Sequence, residues 1–184
     1  LVDLATIGTQ VSLGDPTGVG GQCYLLSTSS TIHAPLGVRR IAPLLTQEVT
    51  GADYLMIAPP EFIPSLDRLI AARAAEGLHV EVEQADAIYD TYSDGRMDPE
   101  AIRAFLADVY ASWNPIPTYV LLVGDGSSDP KQYRANSLPT HIPPYLANVD
   151  YWAGETAADN RFVAVDGDDV LPDLIIGRLP VRSR

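Results

Sequence analysis

Tyr119-Val120-Leu121-Leu122-Val123-Gly124-Asp125-Gly126 decides how this chain is read. Five apolar residues run without a polar interruption and stop at a Gly-Asp-Gly turn. A strand with one wet face alternates; an unbroken run of this kind belongs to a strand buried on both faces, with the turn at its carboxyl end. A second such run, Tyr54-Leu55-Met56-Ile57-Ala58, stops at Pro59-Pro60. Both fall far short of the roughly 18 apolar residues that a membrane-spanning helix needs, so no membrane span is expected.

The segments between these runs change period. Leu66, Leu69, Ile70 and Ala74 share one side of a predicted helix, with Asp67, Arg68, Arg73 and Glu76 toward water and Gly77 ending it. Leu78, Val80 and Val82 then alternate with His79, Glu81 and Glu83, which predicts an edge strand with one wet face. A short helix over 85–92 follows. The strongest helix signal is Asp98-Pro99-Glu100, a capping carboxylate, a proline at the first position and an acid in the first turn. It opens a stripe of Ile102, Phe105, Leu106, Val109, Tyr110 and Trp113 that Asn114-Pro115 stops. Leu174-Ile175-Ile176 reads as a last strand before Gly177-Arg178-Leu179-Pro180.

Buried strands alternating with amphipathic helices give an α/β class, a doubly wound and mainly parallel sheet of flavodoxin-like or caspase-like type. The expected order places the first of these strands between the second and third. A switch-point crevice then lies beside Pro59-Pro60 and Gly124-Asp125-Gly126. Residues 1–50 read differently. Short β-type runs at 4–7 and 23–26 are separated by Gly14-Asp15-Pro16-Thr17-Gly18 and by Gly20 and Gly21, so a β-rich lead segment is expected over 1–50 and the α/β unit over 51–184.

The 184 residues suit one main core. With 46% apolar and 20% charged residues the composition is that of a globular protein rather than a disordered chain. Twenty-four acids against twelve cations leave a net charge of −12, and Lys131 is the only lysine. A phosphate-backbone binder needs clustered cations, so nucleic acid is not an expected partner. Cys23 is the single cysteine and excludes an intrachain disulfide. The start at Leu1, without a leader, and the stop at Arg184 read as an excised piece of a longer polypeptide. Such a piece, with an unpaired sheet edge, is expected to self-associate non-physiologically.

Candidate chemistry is sparse. Asp125, at the carboxyl end of the central strand, could orient backbone, bind a cation or accept a bond from a substrate; equally, it could tie down its own turn. The segment lacks the signature of a phosphate loop or a dinucleotide fingerprint. Asp166, Asp168, Asp169 and Asp173 place hard oxygen ligands in one turn, as a calcium ion requires, without the spacing of an EF-hand. The competing reading is a solvated acidic hairpin turn between 161–165 and the last strand. His33, His79 and His141 are isolated, Cys23 sits among apolar neighbours, and no serine is framed as Gly-x-Ser-x-Gly, so no catalytic pair is found.

In order and spacing the segments Gly51-Ala52-Asp53-Tyr54-Leu55-Met56-Ile57, Pro60-Glu61-Phe62, Asp98-Pro99-Glu100-Ala101-Ile102-Arg103, Tyr119 to Gly126, Asp159-Asn160-Arg161-Phe162, Val165-Asp166-Gly167-Asp168, Pro172-Asp173 and Ile176-Gly177-Arg178-Leu179-Pro180-Val181 resemble the gingipain-like cysteine peptidases, which have a caspase-type fold. The resemblance covers roughly the last 135 residues.

The family's His and Cys follow a region like 177–181, so the resemblance places the dyad beyond Arg184 and makes the chain inactive alone. It implies a non-catalytic, amino-terminal portion of a secreted bacterial endopeptidase, extracellular or at the cell surface. Such a portion supplies sheet and pocket wall, and meets a protein or peptide substrate through the full-length enzyme. Asp159 matches the segment near the primary specificity pocket and is the substrate-specificity candidate. No cofactor is required on this reading, although family members bind calcium, which favours a Ca²⁺ ion at the 166–173 turn. The alternative from another class is a degenerate, non-enzymatic α/β module that binds a protein partner or a divalent cation.

Overall fold

The computed structural model describes residues 3–7, 10–14, 51–130, 133–152 and 154–183. The chain divides into two compact units, Leu1–Arg39 and Arg40–Arg184. In the first, β1 (Asp3–Ile7) and β2 (Gln10–Gly14) pair antiparallel, from Asp3 opposite Gly14 to Ile7 opposite Gln10. The expected strand at 23–26 and Cys23 itself lie outside the described residues.

The second unit is built on β3 (Tyr54–Ala58), α1 (Asp67–Ala75), β4 (Val80–Gln84), α2 (Ala85–Tyr92), α3 (Pro99–Ser112), β5 (Tyr119–Val123), a hairpin of β6 (Leu146–Asp150) and β7 (Gly154–Ala157), and β8 (Ile175–Leu179). Strands β4-β3-β5-β8, in that order, form one sheet in which every pairing is parallel. The first strand of the unit thus lies between the second and third, as the alternation of elements predicts, and among the described residues β4 is an edge.

The unbroken apolar runs are explained by which side each residue faces. Leu55 and Ile57 of β3 and Val120 and Leu122 of β5 are buried against α2 and α3, with Ile88, Ile102, Phe105, Leu106 and Val109. The alternate residues, Met56, Ala58 and Val123, are buried on the other face with Phe62 and Leu66, where Leu69, Ile70, Val80 and Val82 join them. Burying an aliphatic side chain is worth about 1.5–3 kcal/mol, so a one-residue slip of either strand, which would exchange the two faces, is strongly opposed.

Local signals set the ends of the helices. Asp98 accepts a 2.9 Å bond from Glu100 N ahead of Pro99, opening α3 as expected. Gly77, at φ +88°, lets Leu78 N reach back to Arg73 O at 3.2 Å and stops α1. Ala74, expected on the buried stripe of α1, is exposed.

The edge strand departs from its expected wet face. Val80 and Val82 pack toward α1, and Glu83 on the opposite side is half-buried. Burial, and then repulsion from Glu81, pushes the Glu83 carboxyl up to about 7.

Two further details differ. The stretch 161–165, read as one arm of a hairpin, is not a strand. Asp159–Val163 is a 3-10 helix with the successive residues Phe162 and Val163 both buried, and burial of adjacent residues breaks the period of a half-buried strand. The last strand begins one residue later than its apolar signal and continues through Arg178 and Leu179, because Arg178 finds its partners within the fold.

Candidate functional site

Four segments meet at the carboxyl end of the sheet: the turn after β5, the loop 141–145, the 3-10 helix beginning at Asp159, and the end of β8. The turn after β5 needs its glycines. Gly124 has φ +140°, and a Cβ there would stand 2.9 Å from His141 Cβ; a Cβ on Gly126 would stand 2.7 Å from the carbonyl oxygen of Ile142. The backbones are thus in contact. His141 N and Ile142 N donate to Asp125 O at 2.9 and 3.3 Å, while Gly124 N and Asp125 N donate to Leu179 O and Val181 O, each at 2.9 Å.

Arg178 joins the segments. Its Nε donates to Asp159 Oδ2 at 2.6 Å and its Nη2 to Asp159 Oδ1 at 3.1 Å. The same guanidinium donates through Nη1 to Gly124 O at 3.1 Å and to Ile142 O at 2.9 Å, and through Nη2 to Pro143 O at 3.2 Å. Only a planar, multiply donating cation can serve a carboxylate and three carbonyls from one position. The side chains are 15% and 25% exposed, so solvent screens the pair only weakly. Asp159, the specificity candidate, also accepts from Tyr145 N at 3.4 Å, and both its oxygens are engaged inside the chain.

Both carboxylate oxygens of Asp125 are engaged within the chain. Its Oδ1 accepts from Gly126 N at 2.9 Å, tying its own turn, and its Oδ2 pairs with Arg182 Nε. The Arg182 hydrogen bond, followed by the Gly126 N–H, holds its carboxyl below the usual range. His141 Nδ1 lies 3.3 Å from Glu61 Oε1, and its ring packs on Phe62 with centroids 4.9 Å apart. The spacing of the sequence gave no sign of the Glu61–His141 pair, whose partners are 80 residues apart. Nor did it mark Arg178 and Arg182 as partners of Asp159 and Asp125.

Asp129 organises the next loop, accepting from Tyr133 N at 3.0 Å, Arg134 N at 2.8 Å and Ser137 Oγ. Asp173 does the same for the acidic turn. Its Oδ2 accepts from Val165 N at 2.8 Å and Asp166 N at 2.9 Å, and the Asp166 N–H, followed by that of Val165, holds its carboxyl below the usual carboxylate range. Asp169 Oδ1 accepts from Leu171 N at 2.8 Å. Asp166, Asp168, Asp169 and Asp173 are not gathered round a common point: among the described residues no group of three or more His, Cys, Asp or Glu side chains is arranged to hold a metal ion.

Residues 47–184 match Peptidase family C25. No curated protein matches the chain in sequence. Several solved structures share its fold, among them these three. Dimeric latent PorU from Porphyromonas gingivalis has a TM-score of 0.57 at 22% identity over 72% of this chain and 14% of its own. The complex of the pro- and mature domains of RgpB from the same organism has 0.52 at 24% identity, over 71% of this chain and 25% of its own. The Arg-specific cysteine proteinase gingipain R has 0.52 at 22% identity, over 78% of this chain and 27% of its own. The chain therefore spans between about one-seventh and just over one-quarter of the length of these relatives. No helix among the described residues is long and apolar enough to cross a membrane.

Proposed function

Because this chain belongs to Peptidase family C25, we propose that it is the non-catalytic amino-terminal portion of a gingipain-like cysteine endopeptidase, supplying sheet and substrate-pocket wall to a His/Cys dyad carried outside these residues. The observation that carries the reading is the Arg178 clamp. One guanidinium assembles four segments at the carboxyl end of a parallel sheet, the end at which α/β folds present their chemistry. The groups assembled there are carboxylates, an imidazole and carbonyls, which can orient and bind. The nucleophile of a cysteine peptidase would have to be a thiolate with a base in reach, and Cys23 is the only thiol in the chain.

On this reading the parent acts on protein or peptide substrates outside the cell or at its surface. Residues 51–184 form its α/β portion and residues 1–50 the end of a β-rich segment before it. Asp159 contributes to selection of a basic side chain only by sharing its carboxylate between Arg178 and the substrate. Otherwise its part is to fix the pocket wall. A calcium ion at the 166–173 turn would have to draw Asp173 away from two backbone N–H groups.

The test is made on a polypeptide that extends this chain through a His- and Cys-bearing segment. It is expected to cleave peptides in a thiol-dependent way, and Asp159→Asn is expected to lower its preference for a basic residue before the cut. An unchanged preference would remove Asp159 from specificity. Absence of any thiol-dependent cleavage would favour the non-enzymatic module.

A further inference from the structure

A cavity of about 200 Å³ opens where the residues leading into α3 face the loop 141–145, lined by Met97 and Glu100 on one side and by Pro143, Pro144, Tyr145 and Leu146 on the other. It is smaller than the roughly 300–1,000 Å³ that drug-sized ligands need, and suits a single side chain. Its donors are spent. The prolines carry no N–H. Glu100 N donates to Asp98 Oδ1 at 2.9 Å, Tyr145 N to Asp159 Oδ1 at 3.4 Å, and the Tyr145 hydroxyl to Glu100 Oε1 at 2.6 Å. The Tyr145 ring stands edge-on to Phe162 with centroids 5.4 Å apart, which fixes the hydroxyl and, through it, the carboxylate. Among the described residues the second oxygen of Glu100 has no partner. Arg103, one turn along α3, donates to Ala164 O at 2.8 Å instead. The cavity thus combines apolar walls with one carboxylate that still accepts.

We propose that this cavity binds an arginine or lysine side chain of a polypeptide, with the apolar stem against Met97, Pro143 and Pro144 and the cation on Glu100. The identification of that polypeptide as a substrate rests on the peptidase reading. Long basic side chains lay their methylenes along apolar surface and carry the charge to a polar group, so they match the cavity at both ends. An acidic side chain would meet a like charge and no donor to offset it. An apolar one would gain the walls but cover the carboxylate without pairing it. Glu100 and Asp159 both touch Tyr145, one through its hydroxyl and the other through its N–H. Asp159 is already gripped by Arg178. Of the two acids, Glu100 is the one open to an incoming cation. The net charge of −12 acts in the same direction, drawing basic peptides to the chain.

The experiment titrates the isotope-labelled 184-residue chain with the blocked peptide acetyl-Ala-Ala-Arg-Ala-Ala-amide, and with the same peptide carrying Leu or Glu at its centre, and reads backbone amide shifts. The Arg peptide is expected to give saturable shifts at Met97, Glu100, Tyr145 and Leu146. The Leu peptide should bind about tenfold more weakly, and the Glu peptide not at all. Glu100→Gln keeps an acceptor for the Tyr145 hydroxyl while removing the charge, and is expected to weaken the Arg peptide by about tenfold or more. Met97→Lys, at a position 44% exposed, places a competing cation at the cavity and should weaken it at least as much without disturbing the core. Absence of saturable binding, equal affinity for the Leu peptide, shifts that leave out these four residues, or undiminished binding in both variants would each overturn the proposal. Weakening by Asp159→Asn with none by Glu100→Gln would move the cation to Asp159 and overturn it likewise. Because binding is read on this chain, a lack of thiol-dependent cleavage in the extended polypeptide would overturn the peptidase reading and leave the cavity's assignment standing.

Discussion

Arg178 grips Asp159 with two donors, Nε to Oδ2 at 2.6 Å and Nη2 to Oδ1 at 3.1 Å, and with the rest of the same guanidinium it holds the carbonyls of Gly124, Ile142 and Pro143. Removing either partner leaves a charge in a largely shielded place. Arg178→Met is expected to cost about 2–4 kcal/mol in denaturant unfolding, near the range for breaking a buried pair. Arg178→Lys should recover only part of that, since a single ammonium cannot serve the carboxylate and three carbonyls together. A double-mutant cycle with Asp159→Asn should show a coupling of about 1–3 kcal/mol. Additive effects would mean that the two side chains stabilise the site separately.

The approach of backbones at Gly126 gives a second expectation. Its missing side chain admits the Ile142 carbonyl, which a Cβ would meet at 2.7 Å. Gly126→Ala is expected to destabilise the chain by about 1–3 kcal/mol as the loop 141–145 is displaced. Gly177→Ala, with open space around the added methyl, should be nearly silent in the same unfolding measurement on dilute chain.

Strands β3, β4 and β5, their order and the helices were legible because each rests on a local signal, namely the five-residue apolar runs of β3 and β5, the Asp98-Pro99 start of α3 and the alternation in β4, whereas the β6–β7 hairpin has no such run and was not legible. The site was legible in part. Asp125 stood out as an acid in a turn and Asp159 through the family resemblance, but their partners Arg182 and Arg178 are 57 and 19 residues away, and pairing at that range follows only from the sheet order. Glu83 was misread for a related reason. Period alone places it on the face opposite Val82, and only the packing of α2 and α3 shows that this face is half-buried.

That burial makes stability depend on pH through Glu83. Its folded carboxyl titrates at about 7, above the ordinary value of 4.5, so between these two values the folded chain holds a proton that the unfolded chain has lost. Stability from this group is therefore full below about pH 4.5 and falls as pH rises through 7. Glu83→Gln should remove that slope. Because the carboxyl is part-exposed and screened, the expected gain at pH 8 is about 1–2 kcal/mol, vanishing near pH 4.5. A variant less stable than the parent at pH 8 would contradict this.

Asp173 offers a decision on the acidic turn. Its Oδ2 accepts from both Val165 N and Asp166 N, so Asp173→Asn should lower the melting temperature by the same amount in chelator and in millimolar calcium. A loss of stability seen only with calcium present would make Asp173 an ion ligand instead.

A non-catalytic portion holds no reactive thiol. A peptidyl acyloxymethyl ketone alkylates the activated cysteine of a peptidase and leaves ordinary thiols largely unmodified. Incubated at neutral pH with the 184-residue chain and read by intact mass, it is expected to leave Cys23 unlabelled, and the chain to hydrolyse no peptide. Stoichiometric labelling of Cys23, abolished by unfolding the chain and matched by thiol-dependent cleavage, would show that the nucleophile lies within these residues and would contradict the assignment of this chain as a non-catalytic portion.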